Sequence, residues 1–299
     1  MNSAYQNYLS PSIIKKIDNI FLRAKLVVEG FIIGLHKSPY HGFSVEFSEH
    51  RPYAFGDEIK HIDWKLLAKT DKLYIKQFEE ETNLKCHILF DTSASMDYSS
   101  NDNITKLEYA KTLSASLSYL MIKQQDAVGL TIFNKKIIKS IPPKSKISHL
   151  NILLNALHES NAKGTTNLSP MLHSLADSIK KRGLIILISD LLDDPKNIIK
   201  GLRHFRHKGH EVIIFHILDF NEISFNFNQL VEFIDLESND SIKTDPRHIR
   251  NDYKKAFSSF CEIFRLECRK NNIDYITVDT SNSLDKSLIE YLMKRSRLV

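Results

Sequence analysis

Short, nearly continuous apolar runs recur along the chain: Cys86 to Phe90, Ala127 to Phe133, Leu184 to Ser189, Glu211 to Leu218 and Tyr275 to Val278. Runs of this length predict strands buried on both faces, and stretches with helical spacing separate most of them. That alternation predicts βαβ units, hence an α/β fold with a doubly wound, mostly parallel sheet flanked by helices. Leu73-Tyr74-Ile75-Lys76-Gln77-Phe78 reads as an entry strand that ends in the acidic Glu79-Glu80-Glu81. Lys135 to Ile141 breaks the alternation: it follows a strand after a short turn at Asn134, is closed by Pro142-Pro143, and predicts a short antiparallel edge strand.

Helix boundaries are marked by side chains that can cap them. Thr105-x-x-Glu108 has the form of a capping box, and Ser169-Pro170, Asp194-Pro195 and Asp245-Pro246 each place a capping residue before a proline at the first helical position. Near the N-terminus, Ile13, Ile17, Ile20, Phe21, Ala24, Val27, Val28 and Phe31 predict one amphipathic helix from about Ser12 to His36, laid against the main body. Ser38 to Thr70 is rich in aromatics, glycine and charge, has no clean period, and reads as irregular or short-stranded. Phe220 to Asp245 also lacks a period and reads as an excursion from the sheet. The expected division is an N-terminal helix and extension over 1–80, then an α/β domain over 81–299 with an insertion near 220–245.

Composition narrows the function classes. The net charge of +5 arises from 41 basic and 36 acidic residues interspersed along the chain, too small an excess to call for nucleic acid. Met1 to Pro11 lacks the basic and apolar regions of a secretory signal, and Leu26 to Leu35 falls far short of the ~20 apolar residues of a spanning helix, so a cytoplasmic protein is expected. The three cysteines, Cys86, Cys261 and Cys268, have no metal-site spacing and imply neither a disulfide framework nor a zinc site. The basic helix from Pro195 to Lys208 reads as either a solvated face or a patch for an acidic partner.

The chemistry concentrates after the first buried run. Asp91-Thr92-Ser93-Ala94-Ser95 places a carboxylate and two hydroxyls just past the carboxyl end of a strand, where a parallel sheet opens its crevice. Three hard oxygen donors in five residues suit a divalent cation such as Mg²⁺. Two further loops carry matching groups: Gly164-Thr165-Thr166-Asn167-Leu168, and Ser189-Asp190-Leu191 at the end of another buried run. In a parallel sheet these loops project from the same edge, so Thr166 and Asp190 are placed to meet Ser93 and Ser95 around one ion. Taken alone, Asp-x-Ser-x-Ser is a common turn sequence; the two further loops make it a candidate site.

With all five positions present, Asp91-x-Ser93-x-Ser95, Thr166 and Asp190 resemble the metal-ion-dependent adhesion site of von Willebrand factor type A domains. The resemblance implies a vWA-like fold, a cation held by those residues, and a remaining coordination position for a partner's carboxylate. Arg51-Pro52-Tyr53-x-x-Gly56-Asp57-x-x-Lys60-x-Ile62-Asp63-Trp64 is similar to the signature of the bacterial DUF58 family, with Lys60 and Lys69 where arginine is common. Such proteins are typically encoded beside MoxR-type AAA+ ATPases, which implies an adaptor or partner role in protein maturation or assembly. A role for Trp64, Asp57 and Asp63 as packing anchors is as well supported as one in binding.

Three functions follow for comparison. The first is a non-enzymatic, metal-dependent protein-interaction module that uses Mg²⁺, with Mn²⁺ or Ca²⁺ as alternatives. Its expected partner is a MoxR-type ATPase, a client protein that donates a carboxylate, or both. The second is a Mg²⁺-dependent phosphoester hydrolase, weakened because Ser93 stands where a second aspartate is expected and no lysine or histidine is placed as acid or base. The third, a nucleic-acid binder, rests only on the mild basic excess.

Overall fold

The computed structural model describes residues 11–14, 16–36, 50–52, 67, 73–76, 84–100, 104–284, 288–289 and 291. In chain order these residues form α1 (Pro11–Ile14), α2 (Ile20–His36), β1 (His50–Pro52), β2 (Tyr74–Lys76), β3 (Lys85–Asp91), a 3-10 turn (Ala94–Asp97), α3 (Lys106–Lys123), β4 (Ala127–Phe133), β5 (Ile137–Lys144), α4 (Ile147–Glu159) and α5 (Leu168–Ser178). There follow β6 (Leu184–Ser189), α6 (Pro195–His207), β7 (Glu211–Leu218), α7 (Phe220–Ser224), β8 (Val231–Ile234), β9 (Ser241–Thr244), α8 (Pro246–Lys270) and β10 (Asp274–Asp279).

The main sheet runs β10-β7-β6-β3-β4-β5 and is parallel except for β5. From β3 the chain steps one way to β4 and β5, then returns to β6 on the other side of β3. Strand order therefore reverses at β3, and the carboxyl ends of β3 and β6 border the crevice that such a reversal opens. Successive side chains of one strand feed opposite faces. Ile88 and Phe90 of β3 and Ile186 and Ile188 of β6 pack with Val27 and Val28 of α2, Leu113 and Leu117 of α3, and Leu153 and Leu157 of α4. Leu89, Ile185 and Leu187 join Leu172 of α5, Leu202 and Phe205 of α6, and Phe264 and Cys268 of α8 on the other face.

Because α2 and α4 cover it and the sheet lies beneath, α3 is buried at nearly every position. Its central hydroxyls are satisfied internally: Thr112, Ser114, Ser116 and Ser118 donate to the carbonyls of Glu108, Ala110, Thr112 and Ser114 at 2.8–2.9 Å. α2 is tied to α3 by the Arg23 guanidinium, 2.9 Å from the Glu108 carboxylate.

Several boundaries differ from the sequence reading. The N-terminal amphipathic segment is two helices rather than one, because Asn19 accepts the Leu22 amide at 3.0 Å and starts α2 afresh. Only half of the expected capping box forms at Thr105, which accepts the Glu108 amide; the Glu108 carboxylate turns instead to Arg23 and Lys111. α5 starts at Leu168, before Ser169-Pro170, with its first amide bonded to the Asp193 carboxylate at 3.0 Å. The caps at Asp194 and Asp245 form as expected. β5 continues through Pro142-Pro143 instead of stopping before them. The prolines lie opposite Gly129 at a register shift in β4, where a Cβ would stand 2.8 Å from the Ile141 carbonyl and 2.9 Å from Pro143.

The 220–245 excursion holds α7 and the antiparallel hairpin β8–β9. Phe225, Phe227, Phe233 and Tyr253 pack its base onto α8, with the Phe225 and Tyr253 ring centroids 4.1 Å apart. α6 buries Ile198, Leu202 and Phe205 and leaves Lys196, Lys200, Arg203 and His207 exposed, a solvated basic face. Arg51 and Pro52 lie in β1, paired antiparallel with β2, while Trp64 and most of the Arg51–Trp64 signature lie outside the described residues, as do Lys294 to Arg297. Among the described residues, no helix is long and apolar enough to cross a membrane. The three cysteines are free thiols.

Candidate metal centre

Asp91 is the last residue of β3 and is fully buried. Its Oδ1 accepts the Ser93 amide at 2.9 Å, folding the loop back over the strand end, and its Oδ2 accepts the Ser189 hydroxyl at 2.6 Å. The Ser93 and Ser95 hydroxyl oxygens stand 2.9 Å apart. The loop before α5 is stitched to this one by backbone bonds, Ala94 N to Gly164 O and Lys163 N to Thr92 O, each 2.9 Å. Gly164 at φ +78° makes the bend that this contact requires.

The loop after β6 supplies Asp190. Leu191 sits in the left-handed region at φ 54°, unusual for a branched side chain, and donates its amide to Ser189 Oγ at 3.0 Å. This local twist fixes Asp190 beside Asp91. Asp190 Oδ2 accepts from Lys106 Nζ at 2.8 Å, and the same ammonium lies 2.6 Å from Glu222 Oε1. Glu222 is itself placed by the capping box that opens α7, in which its Oε2 accepts the Asp219 amide at 2.8 Å. His216 of β7 is 2.9 Å from the Asp190 carbonyl through Nε2 and 2.5 Å from the Tyr275 hydroxyl through Nδ1. Asp190 Oδ1 is buried with no hydrogen-bond partner among the described residues.

Burial pushes the Asp91 carboxyl up to about 7, and the charge of Asp190 adds to the effect. Burial alone would lower the Lys106 ammonium, but Asp190 and Glu222 outweigh it and hold the group above its ordinary value. Lys106 is thus a fixed positive charge and not an acid or base at neutral pH. Burial lowers His216 to about 4, so its ring is neutral and acts as a rigid hydrogen-bonding strut.

Thr166 is in the loop stitched to Ser93 and Ser95, but its own hydrogen bonds run elsewhere. Its amide and hydroxyl donate to the two carboxylate oxygens of Glu237, at 3.0 and 2.9 Å. The fold thus draws the Asp91, Thr166 and Asp190 loops to one sheet edge, while Thr166 has no direct hydrogen bond to the other four candidates among the described residues. Sequence reasoning missed Lys106, Glu222 and Glu237, and read Ser189 only as part of its loop; Lys106, held in two ion pairs, and His216, held by hydrogen bonds, also lie at this edge. The Asp219-x-x-Glu222 box was a readable signal for α7, though not for its tie to Lys106.

Two adjacent buried carboxylates, one with an unpartnered oxygen, and a pair of hydroxyls form a hard-oxygen environment that fits a small dication. Among the described residues, no group of three or more His, Cys, Asp or Glu side chains is placed to hold a metal ion, so such a cation depends on the serine and threonine hydroxyls.

The profile of the family described as "Protein of unknown function DUF58" matches residues 49–260. Uncharacterized proteins of Mycobacterium bovis and Mycobacterium tuberculosis are 24% identical over 251 residues, covering 82% of this chain and 78% of theirs. Among solved structures, BatB from Bacteroides thetaiotaomicron is 18% identical with a TM-score of 0.48, covering 72% of this chain and 99% of that one. The SpRpn10 VWA domain is 15% identical with a TM-score of 0.44, covering 69% and 93%. With its family match spanning most of the sequence and its helix-flanked, mostly parallel sheet, this chain belongs to the DUF58 family.

Proposed function

We propose that this protein is a non-enzymatic, metal-dependent protein-interaction module. Asp91, Ser93, Ser95, Thr166 and Asp190 hold Mg²⁺, with Mn²⁺ or Ca²⁺ as alternatives, and a carboxylate from a protein partner completes the oxygen set. The partner is a MoxR-type AAA+ ATPase or a client that it matures. The observation that carries the reading is Asp190 Oδ1, a buried carboxylate oxygen without a hydrogen-bond partner among the described residues, beside a second buried carboxylate. A buried oxygen of this kind calls for a cation or ordered water. The division near residue 80 and a cytoplasmic site of action belong to the same proposal.

Hydrolysis is the weaker reading because Lys106, the cation nearest the carboxylates, is engaged by both Asp190 and Glu222 and has no free lone pair to act as a base. The test is calorimetric titration of Mg²⁺ into wild type and Asp91→Ala, with and without the AAA+ ATPase encoded nearest to it. Binding that requires Asp91 and tightens with the ATPase is expected. Saturable binding indifferent to the substitution would overturn the assignment of the site, and Asp91-dependent turnover of a generic phosphate ester would restore the hydrolase.

A further inference from the structure

We infer that His173 and His204 form a metal site of their own, a two-histidine clasp between α5 and α6 that takes a borderline divalent cation of the Zn²⁺, Cu²⁺ or Ni²⁺ class. It is separate from the Asp91 centre and does not depend on the metal reading above.

The two imidazoles come from different helices and face each other through the same ring nitrogen. His173 Nδ1 and His204 Nδ1 stand 3.3 Å apart. Two ring nitrogens bound at ~2.0–2.1 Å to one tetrahedral ion are about 3.3–3.4 Å apart, so this pair already has the spacing of two ligands. The rings are not stacked: their planes are tilted by 45° with centroids 5.4 Å apart.

Asp177 sets the tautomer. Its Oδ1 stands 3.5 Å from His204 Nε2, the nitrogen that points away from His173. A carboxylate there keeps the His204 proton on Nε2 and leaves Nδ1 with its lone pair, the arrangement in which a histidine ligates a metal. Asp177 is itself fixed, because Lys208 Nζ donates to its Oδ1 and to the Ala176 carbonyl, both at 2.8 Å. The Lys208 hydrogen bond holds the Asp177 carboxyl below its ordinary value, with His204 and His173 acting in the same direction, so the group stays ionised. Without an ion, His173 Nδ1 donates to His204 Nδ1; with one, His173 carries its proton on Nε2 and the cation lies between the two Nδ1 atoms.

The helices hold the rings in place. Gly201 is three residues before His204, and a Cβ there would stand 2.7 Å from the Cβ of Leu172, the neighbour of His173. Leu172, Leu202 and Phe205 close the contact from below. Both histidines are half-buried on this close crossing, so little side-chain freedom is lost when an ion binds. Among the described residues, no group of three or more His, Cys, Asp or Glu is placed to hold a metal, so the chain supplies two ligands and water fills the other positions. Two imidazoles without an oxygen donor suit Zn²⁺, Cu²⁺ or Ni²⁺ and not Mg²⁺ or Ca²⁺, the reverse of the Asp91 centre. The bound ion staples α5 to α6.

The test is calorimetric titration of Zn²⁺ into the full chain without a histidine tag. It compares wild type, His173→Gln, His204→Gln, the double variant, Asp177→Asn and Asp91→Ala, with circular dichroism checking the fold of each. Wild type is expected to bind one Zn²⁺ that each histidine variant loses, the double variant being no weaker than either single one. Asp177→Asn weakens the binding about tenfold, while Asp91→Ala and excess Mg²⁺ leave it unchanged. Zn²⁺ raises the melting temperature of wild type and not of His173→Gln. Electron paramagnetic resonance of the Cu²⁺ form shows two coordinated nitrogens in wild type and in Asp177→Asn. Binding that survives in the double variant places the ion on other histidines and overturns the clasp. Loss in only one single variant, or a single coordinated nitrogen, overturns it as well. Loss in Asp91→Ala moves the ion to the strand-end carboxylates, and a wild type that takes up no Zn²⁺ leaves the pair as a hydrogen bond only; either result ends the proposal.

Discussion

Lys106 is a lysine almost wholly removed from water, held between Asp190 and Glu222. Removing one partner of such a group leaves the others charged and unsolvated, so Lys106→Met is expected to cost about 3–5 kcal/mol in chemical denaturation. A loss below about 1 kcal/mol would mean that the ion pair contributes nothing in solution. His87 gives a second residue-level expectation. Burial lowers it to about 4, with the nearby charges of His210 and Lys85 acting in the same direction. The unfolded chain, with His near 6.5, takes up the proton first as the solution is acidified. His87 therefore contributes stability that is present above pH 6.5 and lost as pH falls toward 4, about 2 kcal/mol after allowing for solvent screening. Replacing His87 by Gln should flatten the stability profile in that window; an unchanged slope would show that the ring is not desolvated. Asp91, Ser93 and Ser95 were readable because they crowd one strand end. Lys106 was not, because its partners lie 84 and 116 residues away and nothing local marks it.

At the level of elements, the sheet was legible wherever burial on both faces produced an uninterrupted apolar run, as in β6, whose six residues are all buried. The β8–β9 hairpin was not, because its strands are short and largely exposed, and they pack on aromatic residues rather than on the sheet. Pro142-Pro143 reads as a stop, yet β5 passes through it, since an edge strand has one side with no ladder bonds to lose and Gly129 makes room opposite. The start of β6 depends on another close approach. A Cβ at Gly183 would lie 2.1 Å from the Lys85 carbonyl, so Gly183→Ala must push β6 from β3 and is expected to cost about 2–3 kcal/mol. In α3, by contrast, Ser116→Ala removes a hydroxyl that donates to the Thr112 carbonyl of its own helix, and unfolding should change by less than about 0.5 kcal/mol. A larger loss would point to a lateral partner for Ser116.

For the whole molecule, the order of strands and helices carries the placement of the site: the chain reverses direction across the sheet at β3, and the loops bearing Asp91 and Asp190 meet there. That much was legible from alternation alone, whereas the reach of Glu237 onto Thr166 depends on how an irregular insertion folds back. A dication that binds only the folded chain stabilises it by about 2.7 kcal/mol at a hundredfold excess over its dissociation constant. Mg²⁺ should therefore raise the melting temperature of wild type, a chelator should reverse the rise, and Asp91→Asn should abolish both; a Mg²⁺ response surviving in that variant would place the ion elsewhere. The self-bonded hydroxyls of α3 carry one more consequence. With Thr112, Ser114, Ser116 and Ser118 turned onto their own backbone, the middle of the helix is a smooth axle, gripped by shape and not by lateral polar catches. Its polar couplings sit at the N-terminal end, where Glu108 meets Arg23 and Lys106 meets Asp190. The N-terminal helix and the strand-end carboxylate are thus both fastened to the first turn of α3, one through Glu108 and the other through Lys106.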